Sequence, residues 1–174
     1  ASVTVWASPV PAKGTSESPH GVKRLVQWLQ ETGYKRLIIK SDQEASIKAV
    51  LAEAKKLFNQ EAMIEHAPKE AHERSNGEAE VTVQQVHGLA RTLKEQVQDR
   101  AACVISAKHP VLTWLIEYAG TMITLFGRGT DGFTPYHRLK GKPWRVPLPP
   151  FGEVVDFKVL TRHKLEARWA CLLY

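Results

Sequence analysis

A chain of 174 residues, 43% of them hydrophobic, holds enough apolar side chain to bury an ordinary core, which excludes disorder as the default and fits one domain with a smaller appendage. Lys and Arg number 24 against 18 Asp and Glu, a formal charge of +6 with a pI near 9.4; this modest excess tilts toward a polyanionic partner without requiring one. Cys103 and Cys171 are the two cysteines and no Cys or His stands at zinc-ligand spacing, so neither a disulfide framework nor a zinc module is supported and a reducing compartment is expected.

In chain order, residues 2–7 alternate polar and apolar side chains, with β-branched Val3, Thr4 and Val5, and read as a strand. Ser18-Pro19 then opens a helix whose Val22, Leu25, Val26 and Leu29 share a face, with Gly33 placed to stop it. Residues 36–40 have the apolar centre of a strand buried on both sides, and Ile47, Val50, Leu51, Ala54, Leu57 and Phe58 mark a helix directly after it. A short strand is expected at residues 62–66. Residues 67–74, with Pro68 and a high density of charge, read as a mobile surface loop that runs into Ser75-Asn76-Gly77.

From that loop onward Ala79, Val83, Val86, Ala90, Leu93 and Val97 repeat at the spacing of one buried helix face. Glu80, Gln84, His87, Arg91 and Lys94 repeat beside it as a polar stripe, one carboxylate near the expected helix start in line with hydrogen-bonding and basic groups. A polar break near residues 99–108 precedes another helix, with Leu112, Leu115, Ile116, Ala119, Met122, Ile123 and Phe126 on one face. The apolar run from 111 to 126 is 16 residues long and carries Glu117, short of the ~20 needed to span a bilayer. No membrane partner and an intracellular protein are therefore expected. Thr134-Pro135 offers an N-cap with proline at the first helical position. The proline-rich stretch from 141 to 150 marks a boundary, and residues 151–160 and 167–174 read as a small β appendage.

Asp42, where a strand hands over to a helix, and Glu80, near a helix start, can converge at one sheet edge, since open α/β sheets gather ligands at the carboxyl ends of their strands. Two carboxylates there suit Mg²⁺ or Mn²⁺ and phosphoryl chemistry. Each acid also has an ordinary explanation: Ser41-x-x-Glu44 fits a capping box around Asp42, and an acid in a first helical turn is favoured by the helix dipole. His66, His72 and His87 are lone histidines to which no metal is assigned, and the five tryptophans are scattered in the manner of core residues.

At Ser41-Asp42, Ser75-Asn76-Gly77, Glu80 and Thr134-Pro135-Tyr136-x-Arg138-Leu139 the sequence resembles the integrase catalytic core of copia-type LTR retrotransposons and retroviruses, over most of residues 1–140. The most specific part is Ser75-Asn76-Gly77 with an acid three positions after the glycine. The 37 residues between Asp42 and Glu80 also match the family's separation of its second and third acids closely. The tail, Phe151-Gly152 and then Lys164-Leu165-Glu166-x-Arg168-Trp169, looks like the segment after the core in copia-like Pol polyproteins.

The resemblance implies an α/β, ribonuclease H-like domain over residues 1–140, a mixed sheet flanked by helices and truncated before its first strand, with a Pro-rich linker and partial β tail over 141–174. It implies DNA integration in the nucleus: metal-dependent 3′-end processing and strand transfer, by an oligomeric nuclease and polynucleotidyl transferase acting on element ends and target DNA. Asp42 and Glu80 would be the catalytic metal ligands, holding Mg²⁺ or Mn²⁺. Asn76, Gln84, His87, Arg91 and Lys94 would line the nucleic acid. It further implies that residues 36–40 lie centrally in the sheet and that the two carboxylates approach to roughly 4–8 Å. Three departures are visible: no Asp precedes Asp42, Gln43-Glu44 follows it where retroviral relatives have Asn-Gly, and Glu73-Arg74 precedes Ser75 where a Pro-Gln pair is usual. The family's zinc-binding N-terminal module is also missing. With the first acid absent, the parent protein reads as an enzyme and this chain as an inactive fragment of it. The alternative is a decayed, non-enzymatic nucleic-acid-binding or scaffold module.

Overall fold

The structure is a computed structural model that describes residues 4–10, 13–15, 19–41, 44–58, 61–65, 69–160, 163 and 168–173, with the backbone alone at 36, 40, 61–65, 69–76 and 173. Five helices and four strands are present among these residues: α1 (His20–Glu31), β1 (Arg36–Lys40), α2 (Ala45–Phe58), β2 (Glu61–Glu65), α3 (Lys69–Ala101), α4 (Val111–Phe126), α5 (Pro135–Lys140), β3 (Val154–Lys158) and β4 (Trp169–Leu173). The fold is thus mixed helix and strand, as expected.

β1 and β2 pair in parallel, Arg36 opposite Glu61 and Lys40 opposite Glu65, with α2 as the crossover. The expected central position of residues 36–40 in a larger mixed sheet is not observed: the described residues give this sheet two strands. α1 lies against α2 through a small core of Val22, Val26 and Ala54, with Leu25 and Val50 packed onto it. Leu57, expected on the buried face of α2, is exposed, while Phe58 beside it is 2% exposed.

The larger core joins α3 to α4 through Val5, Val86, Ala90, Leu115, Ala119 and Phe151. Residues 4–7, expected as strand, form none. The backbone groups of Val5 bond to a side chain instead: Thr124 Oγ1 accepts from the Val5 N–H at 2.8 Å and donates to the Val5 carbonyl at 2.9 Å. A single hydroxyl thereby takes both polar groups of a buried residue, which burial would otherwise leave unpaired. The same segment comes so close to α4 that a Cβ on Gly120 would stand 3.1 Å from both the Ala7 nitrogen and its Cβ. Beyond it, Ser8 Oγ donates to Glu117 Oε1 at 3.0 Å, Arg24 pairs with Glu117 at 2.7 Å, and the Trp6 and Trp28 rings stack at 6.1 Å. This chain of contacts ties α1 to α4.

α3 departs most from expectation. The loop anticipated at 67–74 is helix from Lys69 onward, and the helix continues through Ser75-Asn76-Gly77 without a break to Ala101. Weak helix formers each cost at most about 1 kcal/mol inside a helix, less than ending one helix and nucleating another within a few residues. Gly77 shows no positive φ and a Cβ there would meet nothing within 4 Å. At the other end Ala102 takes a left-handed φ of 47°, and the amides of Ala102 and Cys103 bond back to Asp99 and Gln98, a Schellman-type closure.

α5 begins as its sequence predicts: Thr134 Oγ1 accepts from the His137 N–H at 3.1 Å, Pro135 takes the first turn and Gly141 closes it with φ 71°. The appendage is also as expected, an antiparallel β3–β4 pair, although Phe151, on the tail side of the expected boundary, is built into the α3–α4 core. Tyr118 donates to the Pro149 carbonyl at 3.2 Å and the Arg100 guanidinium to that of Phe151. In the hairpin, Asp156 faces Cys171, whose thiol donates to Asp156 Oδ1 at 2.7 Å. That bond and the carboxylate charge push the Cys171 thiol pKa up.

Three outcomes follow from these contacts. Gly120→Val should destabilise the protein by about 1–3 kcal/mol through overpacking, read as a lowered midpoint in urea. Gly77→Ala should stabilise it by up to about 1 kcal/mol, as expected inside a helix; a destabilised variant would contradict the unbroken helix. At mildly alkaline pH, Asp156→Asn should speed alkylation of Cys171 by iodoacetamide while leaving the rate at Cys103 unchanged, followed by mass spectrometry.

Candidate nucleic-acid interface

The polar stripe predicted from spacing exists as a surface. Glu80, Gln84, His87 and Arg91 are exposed and Lys94 is half-buried, along the flank of α3 that adjoins the face buried at Val86 and Ala90. From Glu80 to Lys94 the stripe runs about 21 Å at 1.5 Å per residue. A B-form duplex of that length carries on the order of a dozen phosphates. Arg91 Nε donates to the His87 carbonyl at 3.2 Å, which lays the side chain along the helix and leaves its terminal amino groups for a ligand.

Glu80 is not at a helix start. It lies about three turns inside α3 from Lys69, so stabilisation by the helix dipole does not account for it, the dipole acting within the first turn. Among the described residues its carboxylate has no hydrogen bond or ion pair and stands free as an oxygen donor. Asp42 lies outside the described residues, and its expected approach to Glu80 therefore does too; Asn76 is described as helical backbone alone. Val83 and Ala79, expected on the buried face, are exposed, while Val86 and Ala90 are buried in the core shared with Leu115 and Ala119 of α4. Among the described residues no three His, Cys, Asp or Glu side chains gather at one point. None of the described helices is long and apolar enough to cross a membrane.

A second basic feature lies outside the helical stripe. From Gly132 to Gly152 there is no acid, while Arg138, Lys140, Lys142 and Arg145 all fall in or just after α5. From Gly77 to Ala101, by contrast, α3 carries Glu78, Glu80, Glu95 and Asp99 against Arg91, Lys94 and Arg100, so the surplus of positive charge belongs to α5 and its turn. The turn is held in shape. Trp144 packs edge-on against Tyr136 at 5.3 Å and donates from Nε1 to the Val146 carbonyl at 2.6 Å. Arg138 pairs with Asp131, holding that carboxyl below the usual carboxylate range. Its stabilising effect is present above the unfolded-state pKa and fades as pH falls through the lowered one. Lys142 and Arg145 are exposed and have no ion pair among the described residues. Their signal in the sequence is a 21-residue stretch free of acids, which helical periodicity does not weigh.

A cleft of about 590 Å³ opens between the first described turns of α3 and the Gly127–Thr130 link, walled largely by apolar groups such as Val5, Val81 and Ile123. Of the predicted site residues whose side chains are described, Glu80, Gln84, His87, Arg91 and Lys94, none lines it. No protein-family model, no curated protein and no solved structure matches the chain.

Proposed function

We propose that this chain is a nucleic-acid-binding domain of the integrase-core type, with a ribonuclease H-like ancestry, that lays the exposed flank of α3 along phosphate groups. The observation that carries the reading is the continuous stripe of Glu80, Gln84, His87, Arg91 and Lys94. The 37-residue separation of Asp42 and Glu80 and the Ser75-Asn76-Gly77 signature support the integrase reading from the sequence side. Arg91 and Lys94 would neutralise phosphates, Gln84 and His87 would hydrogen-bond them, and Asn76 would contact the strand nearest Glu80. Such contacts position a duplex without reading its sequence. Lys142 and Arg145 add a second cationic contact.

Two carboxylates are the donor type a hard divalent cation takes, and Glu80 is free to serve. Asp42 and Glu80 would hold Mg²⁺ or Mn²⁺, which supplies activation of an attacking oxygen and stabilisation of the leaving one. Element ends and target DNA are the proposed substrates, the nucleus the proposed place of action, and a homo-oligomer of the complete protein the proposed assembly. One observation favours a non-catalytic variant of this reading for the chain as given: no Asp precedes Asp42, so the first acid of an Asp, Asp, Glu set is not supplied. The chain then binds and positions DNA without cutting or joining it.

Fluorescence anisotropy with duplexes of unrelated sequence tests this directly. Binding should be weak, indifferent to sequence and steeply lowered by salt. The Arg91→Ala, Lys94→Ala double variant should weaken binding to all duplexes equally, and its log–log salt slope should be shallower by about one for each phosphate left un-neutralised. Binding that ignores salt would overturn the stripe. No strand transfer is expected with either metal, and robust transfer by the purified chain would overturn the assignment of the missing acid.

A further inference from the structure

The same side of α3 that carries the basic stripe borders a groove whose floor is unlike a phosphate site. Between α3 and α4 lies a hollow of about 370 Å³, with Ala90, Leu112 and Ile116 facing into it and His87, Arg91 and Lys94 along the α3 wall. A second hollow of about 410 Å³ adjoins it, sharing His87 and Ile116, and continues between Val83 and Val86 of α3 and the segment from Trp6 to Pro9. The two form one trough. From Val83 to Lys94 it runs about 16 Å, or three helical turns.

Among the described residues the charged or titratable groups lining the two hollows are His87, Arg91 and Lys94, with no carboxylate among them. His87, Arg91 and Lys94 recur at i, i+4 and i+7, so they form a rim on one wall, while the α4 wall offers only aliphatic side chains. A nucleic acid resting on the rim would leave that aliphatic floor in water, since packed helices stand only 8–10 Å apart and a duplex cannot enter between them. An amphipathic helix satisfies both features: apolar side chains at i, i+3, i+4 and i+7 cover the floor, and flanking carboxylates meet the rim.

We propose that this trough is a docking site for an acidic amphipathic helix of a partner protein. The site does not depend on the nucleic-acid reading, but Arg91 and Lys94 serve either ligand one at a time, so helix and DNA compete.

The test uses the whole chain and no nucleic acid in its first step. A labelled peptide of about 15 residues, long enough to hold some helix alone, carries leucines on one face and glutamates on its flanks; a companion replaces every glutamate by lysine. The acidic peptide should bind about tenfold more tightly than its companion, and Arg91→Glu with Lys94→Glu should reverse that preference, since two charge pairs change sign. Both positions reach solvent, so the variant should keep the parent circular dichroism, and Leu112→Ser gives an independent check on the floor. Amide shifts should centre on Ala90, Leu112 and Ile116. Equal affinity for the two peptides, or shifts centred elsewhere, would overturn the proposal. So would the same shifts on adding a single-stranded oligonucleotide, or self-association of the chain that buries these residues. A chain that binds the peptide but no DNA would overturn only the reading of the stripe.

Discussion

The structure depends on the clasp between the segment at residues 4–10 and α4. Val5 is buried, and its two backbone polar groups are both met by Thr124; an unpaired buried group costs about 1–3 kcal/mol. Gly120 permits the approach, since any side chain there would displace Ala7. Once the segment is seated, Ser8 and Arg24 share Glu117, Arg24 lies 5.5 Å over the Trp28 ring, and Trp28 stacks on Trp6. An Arg–Glu pair of this partial exposure contributes little by itself. Its value is geometric, because it sets α1, and the parallel β1–α2–β2 unit packed with it, against the α3–α4 pair.

α3 is then a long helix whose described side chains are buried only from Val86 onward, at Val86 and Ala90. Its C-terminal part is fastened by Val86 and Ala90 against Leu115 and Ala119, by Val97, and by Arg100 to the Phe151 carbonyl. Its earlier turns, from Gly77 to Val83, expose Val81 and Val83. A helix is usually stabilised by packing of its apolar face more than by propensity, so these turns, with Val81 and Val83 exposed, are held less firmly than the part from Val86 onward. That the stripe spans both regions has a functional meaning: Arg91 and Lys94 stand on the anchored part and Glu80 on the less anchored part. On the proposed reading the phosphate contacts would thus be preset, while the carboxylate would depend on what completes the surface around it.

How much of this is legible in the sequence follows from how local each signal is. α1, α2, α4 and α5 are legible because periodicity, a stop at Gly33 and the Thr134-Pro135 cap act within a few residues. The hairpin is legible from strand-like composition. The clasp is not, since the partner of Val5 is 119 positions away and nothing in an alternating strand pattern says that a threonine on a helix will take its hydrogen bonds. The helix through Ser75-Asn76-Gly77 is hidden because three poor helix formers look like a boundary, whereas a helix already formed on both sides tolerates them. At the site, spacing finds the stripe but not its apolar trough, which needs α4 and the first segment, and it passes over Lys142 and Arg145.

The central claim is that nucleic acid meets the flank of α3. Mapping backbone amide shifts while a short duplex is titrated into the chain at low salt tests this most directly. Shifts should follow Gln84, His87, Arg91 and Lys94, with a weaker set near Lys142 and Arg145. Shifts confined to the turn after α5 or to the β3–β4 hairpin, with α3 silent, would contradict it.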